Sequence, residues 1–397
     1  MRRSKVTRTI QGHRVCKRGI AMRGLISRTA VVASAAVALL GSAIVTANGG
    51  GTARASVVPG RNGKIVVGQA FPNFGFTINP NGSERDTIGP RGSTSCVGWS
   101  PNGRKVLCNL WGRNHVQPAT ANPDGSDFHL LNPARKLDLF CVSWAPTGRR
   151  LLCHSEGMRN PAQAGLYSIR ASDGRDLVRI TTLPRGFFEV GYGFSPNGSR
   201  VLYARFDRND RGVLFSVRSN GTGRIRLSSR RWPVLDLGFF DRVGADWSPD
   251  GSRVAFAAFR PSTNKTALFV VNADGTHLHR VTPLNVGAIS AQWSPRGNFV
   301  AFTSCCTKIQ VFVTNANGGH LRQLTFTPNG TQSFTPVWSP NGQEILFQRE
   351  FFRGSTATGG ALYMVRRNGT GLFRVTKLPT FVFAHGGAFN YSWGTKP

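Results

Sequence analysis

Acidic side chains are scarce in this sequence. Its 397 residues include 18 Asp and Glu against 50 Lys and Arg, a formal net charge of +32. The excess persists beyond residues 1–55, since the remaining chain holds 40 basic and 18 acidic residues. Such a charge favours anionic partners, and a bias of the genome towards arginine is the alternative explanation. Because the basic residues are dispersed along the sequence, binding to nucleic acid is disfavoured.

The sequence also lacks the motifs of common enzymes. It has no His-Glu-x-x-His pattern of metalloproteases, no Walker loop and no dinucleotide-binding glycine pattern. A Gly-x-Ser-x-Gly nucleophile elbow is absent too, because residues 193–197 read GFSPN and are better explained as a turn between strands. These absences argue against an attached hydrolase domain. We expect no catalytic residue, no cofactor and no metal site.

The histidines are the remaining candidates for metal binding or acid–base chemistry. His277 and His320 each stand two residues after a turn glycine, with His279 beside the first, so a solvent-facing hairpin position explains them. The others beyond residue 55 have no companion carboxylate at an informative spacing, although they could meet at a central channel. These are His115, His129, His154 and His385. Residues 207–212 (DRNDRG) resemble a calcium loop only weakly, because an arginine stands among the would-be ligands, and a charged loop is the alternative.

Residues 1–55 have the layout of a secretory signal. Nine basic residues precede an apolar run over residues 29–47, and small residues then allow cleavage after Ala47 or Ala55. The basic region is long, so Met22 is an alternative start. The apolar run is close to the minimum length of a membrane-spanning helix, and an uncleaved anchor is therefore the alternative. We predict a bacterial protein that is secreted or held in the envelope or periplasm.

A five-residue motif recurs along the rest of the chain, an aromatic residue, Ser or Ala, Pro, any residue and Gly. Consecutive copies are 45 to 55 residues apart. The copies begin at Trp99, Trp144, Phe194, Trp247, Trp293 and Trp338, and a truncated copy lies at Trp393. Proline sets the φ angle that a type I turn requires, and glycine supplies the left-handed residue of a three-residue hairpin loop. We expect the repeated aromatic residues to pack between neighbouring repeat units.

A second motif alternates with the first and consists of an apolar strand followed by Asn-Gly or Asp-Gly. Examples are LFVVNADGT, ending at Thr276, and VFVTNANGG, ending at Gly319. These dipeptides are strong signals for a tight turn between two strands. Short alternating runs such as 253–259 read as the strands themselves. Each repeat therefore holds four strands in an up-and-down meander, which is the layout of a propeller blade.

The two ends of the repeat region complement each other. Residues 62–67 match the segment after Ser-Pro in other repeats, and residues 391–393 match the strand before it. The C-terminal strand therefore completes the N-terminal blade, which leaves no open sheet edge at the junction. The sequence predicts an all-β, seven-bladed β-propeller of four-stranded blades over residues 56–397.

The alternation of WSPDG with NADGT resembles the PD40 repeats of the TolB family and, more distantly, WD40 propellers. The resemblance runs from Asn62 to Trp393. It implies a propeller fold and, by analogy with TolB-like propellers of the Tol–Pal system, a periplasmic protein that binds an envelope partner. That family member has an α/β domain ahead of its propeller, whereas only a few residues separate the signal region from the first blade here. We therefore expect the fold to carry over, and not the Tol–Pal partnership.

Two cysteine pairs occupy equivalent places in consecutive repeats, three residues before and nine residues after the repeat tryptophan. The pairs are Cys96 with Cys108 and Cys141 with Cys153. Counting outward from the three-residue loop places the members of each pair opposite one another, at a Cα separation of roughly 4.5–5.5 Å that a disulfide accepts. We predict two cross-strand disulfides, as export permits. Bridges between the two blades and reduced thiols are the alternatives, and the bonding of Cys305 and Cys306 stays open.

These observations lead us to expect a monomeric, non-catalytic propeller that binds an envelope protein or an anionic cell-wall polymer. Membrane contact is expected only through the N-terminal segment, if that segment is uncleaved. The alternative is a propeller enzyme of the lyase or oxidoreductase type, with its active site at the channel mouth. An enzyme of that kind requires His, Asp or Glu side chains that converge at one end of the channel.

Overall fold

The protein is described by a computed structural model that covers residues 59–69, 74–112, 115–131, 137–157, 160–235, 244–305, 308–354, 356–378 and 389–397. The predicted signal segment, both cleavage positions, Cys306 and His385 lie outside these ranges. Within the described residues the secondary structure consists of strands and a single turn of 3-10 helix, Pro161–Gln163. No helix in these ranges is long and apolar enough to cross a membrane.

The strands form seven antiparallel blades of four strands each, as the repeats predict. Blade 1 contains β1 (Asn62–Gln69), β2 (Phe74–Ile78), β3 (Asp86–Thr87) and the C-terminal β29 (Phe389–Thr395). Blade 2 contains β4 (Thr94–Trp99), β5 (Val106–Trp111), β6 (Val116–Ala121) and β7 (His129–Leu130). Blade 3 contains β8 (Phe140–Trp144), β9 (Arg150–Ser155), β10 (Gly165–Arg170) and β11 (Val178–Arg179).

The remaining four blades follow the same order. Blade 4 contains β12 (Phe188–Phe194), β13 (Arg200–Phe206), β14 (Arg211–Arg218) and β15 (Ile225–Arg226). After β16 (Val234–Leu235), blade 5 contains β17 (Ala245–Trp247), β18 (Arg253–Arg260), β19 (Lys265–Asn272) and β20 (His279–Arg280). Blade 6 contains β21 (Gln292–Trp293), β22 (Val300–Ser304), β23 (Gln310–Thr314) and β24 (Arg322–Gln323). Blade 7 contains β25 (Thr331–Trp338), β26 (Glu344–Arg353), β27 (Thr356–Arg366) and β28 (Phe373–Leu378).

Strand order defines two ends of the ring. In each blade the first strand, A, contacts the A strands of both neighbouring blades, so these strands surround the centre. The turns that join A to B and C to D lie at one end, which we call the turn face. The turns that join B to C, and the connections from D to the next blade, lie at the opposite end, which we call the connection face. The two sequence motifs therefore both lie on the turn face.

The ring is closed by pairing of the two ends of the chain. Strand β29 runs antiparallel to β1 with register partners from Asn62 and Thr395 to Gln69 and Phe389. The indole of Trp393 donates to the Gly63 carbonyl oxygen at 3.0 Å. The C-terminal strand therefore serves as strand A of blade 1, which confirms the predicted closure.

One connection departs from the repeat. Strand β16 pairs with β14 at Gly212 and with β18 at Ala258, through Val234. It therefore joins blades 4 and 5 into one continuous sheet of nine strands. The sequence pattern did not predict this link, because two residues are too few to show a strand periodicity.

The repeat aromatics are buried at equivalent places around the ring. Their exposed fractions run from 0% to 8%. The set comprises Trp99, Trp144, Phe194, Trp247, Trp293, Trp338 and Trp393. The Trp99 indole donates to the Ser392 carbonyl in blade 1, and the Trp338 indole donates to the Gln292 carbonyl in blade 6, both at 3.2 Å. In these two cases the aromatic side chain joins its own blade to the preceding one.

Turn glycines lie tightly against the preceding blade. Gly318, in the C–D turn of blade 6, has a φ of +84°, and a Cβ atom there would lie 2.4 Å from the Val281 carbonyl oxygen of blade 5. Gly82 meets the Val375 carbonyl oxygen of blade 7 at the same distance. Glycine is therefore required for two reasons at these turns, its left-handed backbone and the close approach of a neighbouring carbonyl.

Blades 2 and 3 each contain a cross-strand disulfide. Cys96 is bonded to Cys108 with a Cα separation of 3.9 Å, and Cys141 is bonded to Cys153 with a separation of 3.8 Å. Members of each pair are direct register partners, so both disulfides lie within a blade and not between blades. A Cβ at Gly75 of blade 1 would lie 2.5 Å from the Cys96 sulfur, and glycine there makes room for the disulfide. Cys305 is buried.

Replacing Gly318 with alanine tests the contact between blades. Gly354 is the matched control, because its φ of +62° is also left-handed but a Cβ there would meet no atom within 4 Å. Each substitution should lower the free energy of unfolding by about 1 kcal/mol, because alanine is strained in the left-handed backbone conformation. We expect Gly318→Ala to lower the free energy of unfolding by at least about 1 kcal/mol more, measured by chemical denaturation, because the turn must shift from its neighbour. Equal losses in the two variants would contradict the proposed contact.

Candidate functional site

All seven C–D hairpins have a left-handed residue two positions before the first residue of their outer strand. The φ angles at these positions lie between 49° and 68°. The residues are Glu84, Asp127, Asp176, Gly223, His277, His320 and Gly371, in blade order. Because the backbone is the same at each position, the blades differ here in side-chain chemistry alone.

In blades 1 to 3 this part of the hairpin is electrically neutralised. The first basic residue of strand B forms an ion pair with a carboxylate of the C–D hairpin in each of these blades. The pairs are Lys64 with Asp86, Lys105 with Asp127 and Arg150 with Asp176. The hydrogen bond from Lys105 also holds the pKa of Asp127 below its ordinary value. These three basic residues are therefore paired within the protein, while Arg104, Arg149 and Arg175 on the same face of blades 2 and 3 are exposed.

Blades 4 to 7 have glycine or histidine where blades 1 to 3 have a carboxylate. Among the described residues, their turn face holds Asp250, Asp274 and Glu344 as its only carboxylates, and each accepts hydrogen bonds from nearby turn residues. The hydrogen bonds from Thr276 lower the pKa of Asp274, so this carboxylate stays charged. The ion pairs between described residues all lie in blades 1 to 4.

Exposed arginines lie on this face in each of blades 5 to 7, while Arg253 is half-buried over the Trp293 ring. We call Arg280, Arg296, Arg322, Arg366 and Arg374 the basic arc. Arg322 donates to the Asn368 carbonyl oxygen at 3.2 Å, which joins blade 6 to blade 7. Within the described ranges, the other four side chains form no ion pair and no hydrogen bond. The basic arc is thus a run of cations on consecutive blades that form no ion pair with the described carboxylates of this face.

The connection face presents different chemistry, a few buried or partly enclosed glutamates. Glu189 begins blade 4 and accepts hydrogen bonds from Thr181 at 2.5 Å and from the Arg205 Nε at 2.8 Å. Its side chain is 2% exposed, and burial raises the pKa above its ordinary value despite these partners. The bonds to Arg205 and Thr181 explain Glu189 as a structural residue.

Two further glutamates of this face lie far apart in the ring. Desolvation by the surrounding protein raises the pKa of Glu156, at the end of strand B in blade 3, to about 7, although its side chain still reaches solvent. Burial raises the pKa of Glu350, in blade 7, to about 8, and Gln348 donates to this carboxyl group at 2.9 Å. Glu350 is 9% exposed. Both groups can take up or release a proton near neutral pH.

The described histidines and carboxylates do not converge on a common site. His277, His279 and His320 are exposed on the turn face, as a solvent-facing hairpin position predicts. His129 is exposed at the position of blade 2 that corresponds to His279. His154 is buried against the Phe140 ring, with centroids 5.3 Å apart, and His115 is exposed between strands B and C of blade 2. No group of three or more His, Cys, Asp or Glu within the described ranges could hold a metal ion.

The segment that weakly resembles a calcium loop is a tight turn between β13 and β14. The Asp207 carboxylate accepts hydrogen bonds from the backbone amides of Asn209 at 2.8 Å and Arg211 at 3.1 Å. The carboxylate therefore shapes the hairpin, in agreement with a charged loop between strands.

Sequence reasoning missed the basic arc, because the arginines are dispersed along the chain and gather only when the blades close. The signal was present in the repeats. The left-handed position reads Glu, Asp, Asp, Gly, His, His, Gly along the chain, so an alignment of the seven hairpins separates blades with a carboxylate there from blades without one.

The raised pKa of Glu350 predicts how stability depends on pH. The folded protein holds this proton up to about pH 8, whereas an unfolded chain releases it near the ordinary value of 4.5. The protonated Glu350 therefore contributes its full stabilisation below pH 4.5, and this stabilisation is lost as the pH rises to about 8. We expect Glu350→Gln to remove this dependence. The difference in free energy of unfolding between the variant and wild type should therefore shift in favour of the variant by at least about 1 kcal/mol from pH 5 to pH 8. The exposed Glu84→Gln is the control, and parallel profiles of Glu350→Gln and wild type in urea unfolding would contradict the prediction.

Comparisons with known proteins found similar propellers, and those with TM-scores above 0.5 agree with this fold. Residues 241–357 match the family profile of the TolB β-propeller domain, PD40. TolB from Acinetobacter baumannii is 14% identical over 81% of this chain and 79% of that chain, with a TM-score of 0.49. An oligogalacturonate lyase in complex with manganese is 15% identical over 82% and 86% of the two chains, with a TM-score of 0.53. The β-propeller domain of the trilobed protease from Pyrococcus furiosus is 12% identical over 83% and 98%, with a TM-score of 0.56. From its repeats and its fold the chain is a seven-bladed β-propeller, and its residues 241–357 match the PD40 family of TolB β-propeller domains.

Proposed function

We propose that this protein is an extracytoplasmic, non-catalytic binding propeller that holds an anionic component of the cell envelope on the turn face of blades 5 to 7. The observation that carries the proposal is the basic arc. Blades 1 to 3 each form an ion pair between strand B and the C–D hairpin on this face, and no ion pair joins described residues of blades 5 to 7.

The electrostatics of the basic arc favour a ligand that supplies negative charge. Like charges that share one face repel each other, and an anionic partner relieves this repulsion while it displaces counterions. Arginine suits such a role because its planar guanidinium can donate two parallel hydrogen bonds to a phosphate or carboxylate. The positions repeat from blade to blade, so the surface suits an extended partner with several charges.

Two features support a location outside the cytoplasm. The disulfides Cys96–Cys108 and Cys141–Cys153 belong to a class of bond that forms in oxidising compartments. Residues 1–55 have the layout of an export signal. An anionic polymer or surface of the envelope is then the partner within reach.

A propeller enzyme is the second candidate, and the connection face favours it through Glu156 and Glu350. Both carboxyl groups have a pKa near neutrality, as general acids and bases often do. They belong to blades 3 and 7, and within the described ranges no histidine or third carboxylate joins them in a metal-binding group. Binding by the basic arc is therefore the function that the geometry supports best.

Two triple variants with the same loss of charge test the proposal. Arg280→Gln, Arg296→Gln and Arg374→Gln together remove three cations from the basic arc. Arg104→Gln, Arg149→Gln and Arg175→Gln form the matched control; these residues are exposed on blades 2 and 3, and their side chains make no hydrogen bond with described residues. The measurement is the affinity for inorganic polyphosphate at several NaCl concentrations.

We expect the basic-arc variant to bind at least about tenfold more weakly and with a smaller dependence on salt, because it neutralises fewer phosphates. The control should stay within about twofold of wild type at the same net charge. Equal losses in both variants would show that overall charge, and not the basic arc, attracts the polyanion. Such a result would overturn the proposal.

A further inference from the structure

Large apolar side chains are exposed beside the C–D hairpins of several blades, with one each in blades 2 and 3 (Leu130 and Leu177) and four on the three blades of the basic arc. Leu278, Leu321, Leu372 and Phe373 are 37%, 38%, 52% and 42% exposed. The three leucines each follow the left-handed residue of a C–D hairpin, and Phe373 follows Leu372 at the start of β28. We call these four residues the apolar rim.

The apolar rim and the basic arc interleave along the chain and around the ring. Leu278 precedes Arg280 by two residues, Leu321 precedes Arg322 by one, and Leu372 precedes Arg374 by two. Each blade therefore places an exposed apolar group beside an exposed guanidinium at the outer edge of the turn face. Blades 5 to 7 present this combination three times in succession.

We propose that the apolar rim and the basic arc together dock this propeller onto the surface of a bilayer that contains anionic phospholipid. The inference rests on the proposed function, since it names the partner of the same surface. The apolar side chains reach the boundary between headgroups and acyl chains, while the arginines bind the lipid phosphates. No residue of the propeller crosses the bilayer in this arrangement.

Charge complementarity alone fits any polyanion, but the apolar rim discriminates between partners. A hydrophilic polymer in water offers nothing that would remove leucine and phenylalanine from solvent. A bilayer interface offers both an apolar layer and a phosphate layer, separated by about the length of a side chain. The coincidence of both residue classes on one rim is therefore explained by a lipid surface and left unexplained by a soluble polyanion.

Each component is too weak to hold the protein by itself. Four partly exposed apolar side chains insert little area, and surface attraction to anionic lipid falls off within a Debye length. Stable attachment to a membrane generally requires two such signals. Binding to vesicles should consequently require both acidic lipid and the apolar rim. Removing either the acidic lipid or the apolar rim should abolish most of the binding.

Blade 3 provides a matched control for the apolar rim. Leu177 occupies the equivalent position and is 39% exposed, like Leu278 and Leu321. Its neighbours are Asp173 and Asp176, which are paired with Arg170 and Arg150. A substitution at Leu177 therefore removes a similar apolar surface from a blade outside the basic arc, whose Asp173 and Asp176 are ion-paired.

The experiment measures flotation of the full chain with vesicles of phosphatidylcholine and with vesicles that also contain phosphatidylglycerol. Neutral vesicles report any attachment through residues 29–47, which is common to all variants. The variants are the triple Leu278→Ser, Leu321→Ser, Leu372→Ser, the single Leu177→Ser and the arginine triple of the basic arc. Affinity for polyphosphate is measured on each variant in parallel.

We expect at least about tenfold more wild-type protein on anionic vesicles than on neutral ones. The leucine triple should fall to the neutral baseline while it keeps its polyphosphate affinity, and Leu177→Ser should behave as wild type. The arginine triple should lose both activities. This pattern separates the lipid surface from a general attraction to polyanions.

Three results would overturn the proposal. Wild-type levels of the leucine triple on anionic vesicles would leave the basic arc as a site for soluble polyanions only. Equal flotation on neutral and anionic vesicles would exclude the lipid surface and leave the proposed function intact if polyphosphate still binds. Loss of both vesicle and polyphosphate binding in the leucine triple would assign those leucines to the fold.

Discussion

The contact between a turn glycine and the carbonyl group of the preceding blade holds the hairpins of this ring in equivalent poses. A Cβ at Gly275 would lie 2.8 Å from the Arg226 carbonyl oxygen, and Gly318 and Gly82 repeat the arrangement at 2.4 Å with Val281 and Val375. The Gly82 contact joins blade 1 to blade 7, so the same interaction continues across the closure of the ring. The side chains of the C–D hairpins on the turn face are therefore held in equivalent positions by this repeated contact.

Because the hairpins have equivalent backbones, the blades can be compared directly by their side chains. Blades 1 to 3 combine ion-paired hairpins with the two disulfides, and the glycine at residue 75 accommodates the first disulfide on its neighbour. Blades 5 to 7 have neither disulfides nor ion pairs among their described residues, and their arginines and leucines are exposed on a rim of the same shape. Ion pairs on the turn face are thus confined to blades 1 to 3 among the described residues, and we propose that the basic arc is neutralised by a partner.

Sequence periodicity predicted the blade number, the closing strand and both disulfides, because these depend on local turn chemistry and on spacing along the chain. Cys96 and Cys108 could be paired by counting outward from one hairpin loop. The link through Val234 and the raised pKa of Glu350 could not be predicted, since they depend on packing between strands distant in sequence. The basic arc was hidden for a related reason: Arg280 and Arg374 are almost a hundred residues apart and share a face only in the closed ring.

Hydrogen–deuterium exchange with and without polyphosphate tests the central claim most directly, namely that one half of the turn face binds an anionic partner. The account predicts slower exchange in the C–D hairpins of blades 5 to 7, at residues 272–280, 315–323 and 366–374. It predicts unchanged exchange in the hairpins of blades 1 to 3, at residues 79–87, 122–130 and 170–179. Protection spread evenly over all seven hairpins, or confined to the connection face around Glu156 and Glu350, would contradict it.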